Sequence, residues 1–437
     1  MIEAMCAPLA ERVPGSVKRE GQPASLVQST YTMVLAGGRG SRLKQLTDGC
    51  AKPAVPIAGR LKIIDFTLSN CINSGIRRVS VLTQYKAQSL NHHIQQCWGH
   101  LNETLGAHIE VVPSRSPNEA DGYSGTANAI YQNLGLIRNA NARFVLILSG
   151  DHVYKMDYSR LIADHVHLNA DVTVACIEVP LTQASEFGVM RVTDNGRIQA
   201  FDEKPATPTP MPGRPDAALA SMGIYVFNAD FLEQELRRDA ANPASCHDFG
   251  KDIIPAIISH GRVFAHDFSE SCVHMRSTQP YWRDVGTLDA YWEANMDFAR
   301  ALPEVSLDAD SWPVHSLRHP LPTSNFLFDV QGHTGTTTES LVSNGCIVHG
   351  ASVQRSVLFT GARVGNGCVV EDSLLLPHVD LGRQTVVRRA IIDSGCVLPD
   401  GIWIGVDPEH DRLRFTVSEK GVTLVTPAML QHLPCPA

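Results

Sequence analysis

The sequence predicts an α/β fold, with a Rossmann-like, mostly parallel sheet, followed by a left-handed parallel β-helix. The first part rests on short, continuously apolar runs that alternate with helical patterns from Tyr31 to about Arg300. Strands that helices bury on both faces have this pattern. The second part rests on apolar residues that recur every six positions near the C-terminus. A six-residue period fits neither an α-helix nor an ordinary strand, but it fits hexapeptide coils.

These patterns divide the 437 residues into four segments. Residues 1–30 contain prolines and lack an apolar core, so we expect a mobile tail rather than an export signal. Residues 31–302 form the α/β domain, and residues 303–340, rich in Pro, Ser, Thr and Gly, are predicted to be a linker. Residues 341–437 form the β-helix, which we expect to serve assembly or regulation, because flat stacked coils suit subunit contact.

Composition excludes several classes of protein. The 37 Lys and Arg residues against 45 Asp and Glu residues give a net charge of −8, so a broad nucleic-acid surface is not expected. No apolar run approaches the roughly 20 residues of a membrane span. The 11 cysteines are scattered without Cys-x-x-Cys spacing, which predicts neither a disulfide framework nor a zinc site and fits a cytoplasmic protein.

In the α/β domain, the apolar runs predict strands at residues 31–35, 79–82, 109–112, 144–148 and 219–227. Amphipathic patterns predict helices over residues 64–72, 126–138, 158–168 and 288–300. A further helix after Gln84 and Tyr85 would carry His92, His93, Cys97 and His100. We interpret those four side chains as parts of an amphipathic helix rather than as a metal cluster.

The six-residue period predicts which side chains face inward in the β-helix. These are Leu358, Val364, Val370, Leu376, Leu381, Val387, Ile392, Leu398 and Ile404, with one residue dropped between blocks. Small and polar residues fill the intervals, and each coil is expected to hold three hexapeptides. Unrelated short strands are the alternative, and the sustained phase favours the β-helix.

A glycine-rich basic loop follows the first predicted strand. It contains Gly37, Gly38, Gly40, Arg39, Arg42 and Lys52. Glycines let backbone N–H groups approach an anion, and the cationic side chains add full charge, so the loop predicts a triphosphate site. The spacing fits neither a Walker loop nor a dinucleotide fingerprint. An ordinary glycine turn with surface arginines is the alternative.

Acidic residues supply a second signal. Asp151 directly follows the strongly apolar run 144–148, and Asp284 lies in Trp-Arg-Asp-Val-Gly. Ligands of parallel sheets bind beyond the carboxyl ends of strands, so we expect Asp151 and the glycine loop to meet there. Carboxylates at loop tips are typical Mg²⁺ ligands, with a helix cap or surface turn as the alternative. Glu203 and Lys204 could bind hydroxyls and a second phosphate, or form a solvated strand edge.

Together these residues resemble those of the sugar-nucleotide pyrophosphorylases, and in particular the bacterial ADP-glucose pyrophosphorylases (glucose-1-phosphate adenylyltransferases). The matching segments are residues 35–53, 63–78, 150–155, 187–190, 203–205, 221–227, 247–252 and 281–287. The resemblance runs from about residue 31 to the C-terminus, and the family also carries a hexapeptide C-terminal domain.

The resemblance implies a nucleotidyltransferase that transfers the adenylyl group of ATP to α-D-glucose 1-phosphate. The products would be ADP-glucose, the glucosyl donor for glycogen or α-glucan synthesis, and pyrophosphate. It also implies Mg²⁺ as cofactor, a cytoplasmic homotetramer and anionic allosteric effectors, with no nucleic-acid or membrane partner.

The resemblance assigns roles position by position. Arg39, Lys52 and Asp151 would be catalytic, and Asp151 and Asp284 would hold Mg²⁺. ATP would bind at Leu35, Gly37, Gly38 and Gln84. Glucose 1-phosphate would bind at Tyr123, Gly188, Glu203, Lys204, Ser221, Tyr225, Asp248 and Trp282, with Lys204 on its phosphate.

The chain departs from the family pattern at effector positions. Many bacterial members carry Lys-Arg, implicated in binding a sugar-phosphate activator, where this chain has Gly49 and Cys50. Ser124 and Asn128 replace a family Arg and Asp. The resemblance therefore does not carry fructose 1,6-bisphosphate over as the activator. A possible effector site elsewhere is formed by Arg388, Arg389, Arg412 and Arg414.

Two other functions share this architecture. A uridylyltransferase or other nucleotidyltransferase would differ in the base, which charge spacing does not specify. A regulatory subunit or a translation-factor exchange subunit would be expected to lack the metal carboxylates or the sugar lysine. This chain keeps Asp151, Asp284 and Lys204, which favours catalysis.

Overall fold

The computed structural model describes residues 23–114, 122–273, 280–300, 303, 305–307, 311–316, 320–328, 332 and 335–431. Within these ranges no helix is both long enough and apolar enough to cross a bilayer.

The helices of the α/β domain are α1 (Pro23–Gln28), α2 (Ile63–Asn73), α3 (Gln88–Leu105), α4 (Thr126–Gln132), α5 (Leu134–Asn139), α6 (Tyr158–His167), α7 (Ala229–Ala240), α8 (Ile254–Ile257) and α9 (Leu288–Ala299). Its strands are β1 (Thr30–Leu35), β2 (Pro56–Ile57), β3 (Leu61–Lys62), β4 (Arg78–Thr83), β5 (His108–Pro113), β6 (Phe144–Ser149), β7 (His152–Tyr154), β8 (Val172–Pro180), β9 (Gly188–Val192), β10 (Ile198–Glu203), β11 (Ala217–Asn228), β12 (Val263–Asp267) and β13 (Trp282–Asp284). Short 3₁₀ helices cover Ser41–Thr47, Lys52–Ala54, Ala184–Glu186 and Phe268–Glu270, and a π-helical turn covers Phe249–Ile253.

Nine of the described strands form one mixed sheet. Its main order is β10-β9-β11-β6-β1-β4-β5, and β8 joins β11 to β12. Strands β6, β1, β4 and β5 are mutually parallel, whereas β11 pairs antiparallel with β6, β8 and β9. Two apolar clusters cover the sheet, one containing Ile64 and Leu148 and the other containing Ile130 and Phe227. The predicted α/β class with a buried parallel sheet is confirmed, and the antiparallel strands extend it on one side.

One predicted helix is broken. The helix expected over residues 126–138 is α4 and α5, separated by Asn133 at φ −112° and ψ 15°. The Asn133 amide donates to the Ala129 carbonyl at 2.8 Å and to the Tyr123 hydroxyl at 3.1 Å. Side-chain amides that bond to nearby backbone compete with helix continuation. The break therefore serves to hold Tyr123.

The segment just before β1 is not a tail. Residues 23–28 form α1, and Val27 is 5% exposed within the core cluster that also contains Ile72 and Leu161. The expectation of a mobile tail was wrong for residues 23–30, because an apolar contact across the fold cannot be read from local composition. Residues 1–22 of the predicted tail lie outside the described residues.

The C-terminal region contains short strands arranged in coils. They are β14 (Asn325–Leu327), β15 (Thr336–Thr338), β16 (Leu341–Val342), β17 (Ile347–His349), β18 (Ser352–Gln354), β19 (Val357–Leu358), β20 (Arg363–Val364), β21 (Val369–Glu371), β22 (Leu374–Leu375), β23 (Asp380–Leu381), β24 (Val386–Arg388), β25 (Ala390–Ile392), β26 (Val397–Leu398), β27 (Trp403–Ile404), β28 (Thr416–Val417) and β29 (Thr423–Val425). Helices α10 (Pro408–Arg412) and α11 (Pro427–Leu430) belong to the same region.

Three sheets run along this region: β14-β17-β20-β23-β26, β15-β18-β21-β24-β27, and β16-β19-β22-β25-β29-β28. All pairs are parallel except β28 with β29. Val364 pairs with Leu381, and Leu381 pairs with Leu398, so a coil takes 17 residues. Three hexapeptides contain 18 residues, so a coil of 17 residues is the predicted unit with one residue dropped. The β-helix prediction is confirmed.

The β-helix begins earlier than predicted. Strands β14 and β15, inside the segment assigned as the linker 303–340, pair in register with β17 and β18. Their side chains are exposed, and β15 contains only threonines, so the apolar six-residue marker is missing from β15. Backbone pairing with the strands of the next coil, β17 and β18, shows instead that β14 and β15 belong to the β-helix.

The third sheet is apolar on both faces. Leu358, Leu375 and Ile392 pair in successive coils and point into the β-helix core. Leu376, predicted to face inward, instead belongs with Phe359 to a cluster shared with the α/β domain. The prediction that Leu376 faces inward was wrong. A strand that is buried on both sides has continuous apolar residues, so the sequence does not show which of two neighbours faces the β-helix core.

The predicted helix after Tyr85 is α3, and one of its histidines, His93, contacts a buried carboxylate. His93 Nε2 lies 2.7 Å from Oδ1 of Asp65, which also accepts from the Trp98 indole at 3.0 Å. The Asp65 side chain is fully buried, so these partners satisfy its charge. Cys97 Sγ lies 3.6 Å from His93 Nδ1, and the His100 side chain lies outside those described.

Because Leu376 is fully buried between the two domains, Leu376→Ala should lower the free energy of unfolding by about 2–5 kcal/mol. Urea unfolding followed by circular dichroism measures this loss. The matched control is Leu413→Ala, at a side chain 84% exposed in the same C-terminal region, with an expected change within about 0.5 kcal/mol. Equal changes in the two variants would contradict the packing of the third sheet on the α/β domain.

Candidate active site

Three neighbouring parallel strands end at one edge of the sheet. Strand β1 leads into the glycine loop, β4 into Gln84, and β6 into Gly150 and Asp151. The Ala36 amide donates to the Leu82 carbonyl at 3.0 Å, and the Gly150 amide donates to the Leu35 carbonyl at 3.0 Å. These bonds hold the three strand ends side by side, as the carboxyl-end argument predicts.

Lys52, Asp151 and Asp284 form a close ionic cluster at this edge. Lys52 Nζ lies 2.9 Å from Oδ2 of Asp151 and 2.7 Å from Oδ1 of Asp284. Asp284 reaches the cluster because β13 pairs antiparallel with β7, which places Asp284 opposite His152. The Lys52 side chain is only 7% exposed. One buried cation thus joins three segments that are distant in the sequence.

Charge pairing keeps Lys52 and Asp151 ionised. Burial alone would lower the pKa of Lys52, but the carboxylates of Asp151 and Asp284 outweigh it and raise that pKa. Burial likewise opposes ionisation of Asp151, yet Lys52, His152 and the Ser149 hydroxyl hold the pKa of Asp151 well below its usual value. The edge therefore carries fixed negative charge directly beside a cationic side chain.

The glycine loop approaches Lys52 closely at Gly40. Gly40 has φ +63°, and a Cβ there would lie 2.9 Å from Lys52 Cβ and 3.1 Å from Thr47 Cγ2. Only glycine combines this dihedral with this close approach. Arg39 is exposed on the same loop, with its guanidinium carbon 5.5 Å from the ring centre of Tyr85.

Arg42, predicted as one of the cations of the triphosphate loop, contacts two carboxylates. Its Nη1 lies 3.0 Å from Glu186 Oε2, and its Nη2 lies 3.6 Å from Asp284 Oδ2. A Cβ on Gly286 would lie 2.7 Å from Nη2, so Gly286 makes room for this guanidinium.

A cavity of about 430 Å³ opens at the same edge. Nine predicted site residues line it: Leu35, Gly37, Gly38, Gln84, Tyr123, Asp151, Glu203, Tyr225 and Asp248. The other lining residues are Pro53, Leu82, Gly125, Thr126, Ala129, Ser149, Gly223, Phe249 and Gly250. One cavity therefore brings together the four positions assigned to ATP and four of the eight assigned to the sugar phosphate.

Glu203 enters the cavity between two glycines. A Cβ on Gly188 would lie 2.9 Å from Glu203 Oε2 and 2.4 Å from Phe201 Cζ, and one on Gly250 would lie 2.5 Å from the same carboxylate oxygen. Gly188 is not among the cavity-lining residues; without a side chain it leaves room for Phe201 and Glu203, and its assignment to the sugar phosphate stays a prediction. Burial raises the pKa of Glu203, and Lys204 partly opposes that shift.

Lys204 and Ser221 lie outside the cavity lining. The Lys204 side chain is 58% exposed, with Nζ 3.9 Å from Glu203 Oε1, and its backbone adopts φ +49° directly after β10. Ser221 is buried on β11, where its hydroxyl accepts a hydrogen bond from the Gly223 amide at 3.2 Å. Lys204 can therefore reach a ligand only by moving its flexible stem, whereas Ser221 is held in the sheet.

Trp282 also lies outside the lining and packs against an aromatic group beside the ionic cluster. Its ring centre lies 4.9 Å from that of His152 and 5.3 Å from that of Phe187, both edge to face. Its indole N–H is buried without a hydrogen-bond partner among the described residues. His152 Nε2 in turn lies 3.6 Å from Oδ1 of Asp151.

The remaining sugar-side residues are positioned by short contacts. Asp248 caps the π-helical turn by accepting from the Gly250 amide at 2.9 Å, and its other oxygen accepts from the Thr126 hydroxyl at 3.0 Å. Tyr225 stacks on Phe249 with ring centres 5.5 Å apart. Thr126 and Phe249 carried no chemical signal in the sequence, and only their contacts identify them.

Gln84 and Tyr123 join the two sides of the cavity. The Tyr123 amide donates to Gln84 Oε1 at 3.1 Å, and a Cβ on Gly37 would lie 3.3 Å from Gln84 Cβ. Gln84 therefore packs against the glycine loop and also holds the backbone of a predicted sugar residue.

The donor set fits a divalent cation. One ligand atom each from Asp151, His152 and Asp284 lie within 4.8 Å of one another. Two carboxylates suit a hard cation such as Mg²⁺, whereas an imidazole suits it less. The Lys52 ammonium already lies between the two carboxylates, which demonstrates that a positive charge is accommodated at this position.

The four candidate effector arginines contact separate partners. Arg388 pairs with Glu371 at 3.0 Å, and Arg412 pairs with Glu409. The guanidinium of Arg389 lies 4.6 Å from the ring centre of Trp292 on α9, and Arg414 pairs with Asp411 at 2.8 Å. Acidic groups thus neutralise three of the four, and their effector role stays a prediction.

Comparisons with known proteins agree with this architecture. Residues 31–301 match the nucleotidyl transferase family, and residues 322–425 match the GlmU-like C-terminal hexapeptide family. A curated protein of Nitrosospira multiformis named glucose-1-phosphate adenylyltransferase is 52% identical over 419 residues, which cover 96% of this chain and 98% of that protein. Proteins of the same name from Methylobacillus flagellatus (53% identical, covering 93% of this chain and 95% of that protein) and Yersinia pseudotuberculosis (51%, 93% and 96%) also match. The chain therefore belongs to the glucose-1-phosphate adenylyltransferase family of nucleotidyl transferases.

Proposed function

We propose that this protein transfers the adenylyl group of ATP to α-D-glucose 1-phosphate, producing ADP-glucose and pyrophosphate. ADP-glucose is the glucosyl donor for glycogen or α-glucan synthesis. One observation carries the proposal: the cluster of Lys52, Asp151 and Asp284 lies beside the cavity that Gly37, Gly38 and Glu203 line. Family membership supports the same reaction.

The chemistry requires two anions to meet. An oxygen of the sugar phosphate attacks the α-phosphorus of ATP in line, and pyrophosphate leaves. A phosphate monoester is mostly ionised near pH 7, so no general base is needed. The protein must therefore position the two esters and screen their repulsion.

Residues of this chain supply both tasks. Backbone N–H groups at Gly37 and Gly38 and the side chains of Arg39, Arg42 and Lys52 would bind the triphosphate. Glu203 and Asp248 would accept hydrogen bonds from sugar hydroxyls, because both are carboxylates at the cavity. Lys204 would bind the sugar phosphate once its stem turns toward the cavity. Tyr225 would give the pocket an apolar wall, and Trp282 would support the site from outside the lining through its contact with His152.

Nucleotidyl transferases generally use a divalent metal ion, and we propose Mg²⁺ held by Asp151 and Asp284. Bound there, the ion would neutralise charge on the phosphate oxygens. The carboxylate of Asp151 is available for this role because its low pKa keeps it ionised.

Assembly and regulation follow the family resemblance. We propose a cytoplasmic homotetramer that responds to anionic effectors. The β-helix exposes Trp403 (60%) and Val397 (70%), which are apolar side chains suited to contact with another subunit. Arg388 and Arg389 stay candidates for an effector site.

The base preference is tested by pyrophosphate release with glucose 1-phosphate and ATP, UTP, GTP or dTTP in turn. We expect the rate with ATP to exceed the others by about tenfold or more, since a pocket that bonds one base leaves its polar groups unpaired with another. A faster reaction with UTP would replace the proposed activity with a uridylyltransferase, and no release with any nucleotide would reject it.

Asp151→Asn should lower kcat by about 10² or more, because it removes charge from the metal and lysine cluster while keeping the shape. Steady-state kinetics with saturating ATP measure it. Asp171→Asn, which breaks a surface ion pair with Arg262, is the matched control and should leave kcat within about twofold. Near-normal kcat in Asp151→Asn would remove this residue from the mechanism.

Lys204→Ala should mainly raise the KM for glucose 1-phosphate, by about tenfold or more, because a charged hydrogen bond to its phosphate is lost. The KM for ATP should change little. Arg214→Ala removes another exposed cation from the same proline-rich loop and serves as the control. An unchanged KM for the sugar phosphate in Lys204→Ala would reject the assignment.

A further inference from the structure

The Lys52 side chain occupies the position that the proposed function assigns to a metal ion. Its ammonium lies 2.9 Å from Asp151 and 2.7 Å from Asp284, and the side chain is 7% exposed. The other carboxylate oxygens have different partners: Oδ1 of Asp151 accepts from Ser149, and Oδ2 of Asp284 lies 3.6 Å from Arg42. The oxygens that Lys52 contacts are therefore those that converge on one point.

A divalent ion and this ammonium compete for the same oxygens. Mg²⁺ binds oxygen at 2.0–2.1 Å and carries twice the charge, so it repels a neighbouring ammonium. The proposed reaction also needs Lys52 at the triphosphate. Lys52 consequently has one set of partners without substrate and another with it.

We propose that Lys52 is an internal counter-cation, which holds Asp151 and Asp284 together in the free protein and leaves them when metal and nucleotide enter together. This inference rests on the proposed function and concerns the regulation of the same site. It follows that the free protein binds a divalent ion weakly. The triphosphate attracts the ammonium and thereby uncovers the carboxylates, so nucleotide and metal each raise the other's affinity.

The geometry around Lys52 favours motion of the side chain alone. Lys52 begins the 3₁₀ turn Lys52–Ala54, and its carbonyl accepts a hydrogen bond from the Val55 amide at 3.1 Å. Gly40 packs against the Cβ of Lys52. The adjacent Pro53 lines the cavity. A flexible four-carbon stem on a fixed backbone can therefore carry the ammonium from the carboxylates to the cavity.

The test measures Mn²⁺ binding without nucleotide, from the electron paramagnetic resonance signal of free Mn²⁺. Lys52→Met should bind Mn²⁺ at least about tenfold more tightly than the wild type, a change of about 1.4 kcal/mol. Lys420→Met removes an equal charge from an exposed ion pair with Glu293 and should leave the affinity unchanged. The double variant Lys52→Met/Asp284→Asn should not show this higher Mn²⁺ affinity.

Thermal melting gives a second readout that needs no turnover. Without metal, Lys52→Met should melt below the wild type, because two carboxylates then lack their counter-charge, and Mn²⁺ should raise its midpoint more than that of the wild type. If Lys52→Met does not fold, Lys52→Gln, which keeps amide donors for the carboxylates, is measured in the same way.

Equal Mn²⁺ affinity in the wild type and in a folded Lys52 variant overturns the inference. The inference is also overturned if the double variant Lys52→Met/Asp284→Asn keeps the higher Mn²⁺ affinity. The ion would then bind elsewhere, for example at Asp164, His266 and Glu270. Failure of the proposed function is separate: it is absence of pyrophosphate release, whereas these measurements use neither substrate.

Discussion

The convergence of opposite charges at one strand edge is the constraint on which the rest of the structure depends. Lys52 lies within 2.9 Å of two carboxylates, and each of the three residues comes from a different segment. Buried charges are tolerated only with close partners, so the segments must be held to within fractions of an ångström. The parallel strand ends, the β13–β7 pair and the close approach at Gly40 each meet this requirement.

The β-helix supports that edge although it contributes no residue to the cavity lining. One apolar cluster contains Leu43 of the glycine loop, Leu288 of α9, and Phe359 and Leu376, which directly follow strands β19 and β22 of the third sheet. A polar contact also joins the C-terminal region to the segment that follows the glycines: the Thr416 hydroxyl donates to Gln45 Oε1 at 3.1 Å. The loop that carries Arg39 and the helix that follows Asp284 therefore rest on the same surface, and a shift of that surface would reach both.

The sugar side of the cavity is joined to the ionic cluster through aromatic groups. The Lys204 amide donates to the Phe187 carbonyl at 3.1 Å, the Phe187 ring packs on Trp282, and Trp282 packs on His152 beside Asp151. Packed side chains transmit small displacements because protein interiors contain few voids. The two substrates of the proposed reaction would thus meet surfaces that are joined by direct packing.

The sequence by itself determined the two domain types, the edge at which the glycine loop and Asp151 lie, and half of the residues that line the cavity. These depend on local properties: apolar runs, a six-residue period, glycines beside cations, and residue types matched to a family. Tertiary structure alone decided that Leu376 packs between domains, that Val27 belongs to the core, and that β14 and β15 already form a coil. It also decided that Thr126 serves the site, that Arg42 pairs with Glu186, that Gly188 leaves room for Phe201 and Glu203, and that Lys52 lies between two aspartates. Each of these is a contact between segments far apart in the chain, and no local pattern encodes which distant partner a side chain meets.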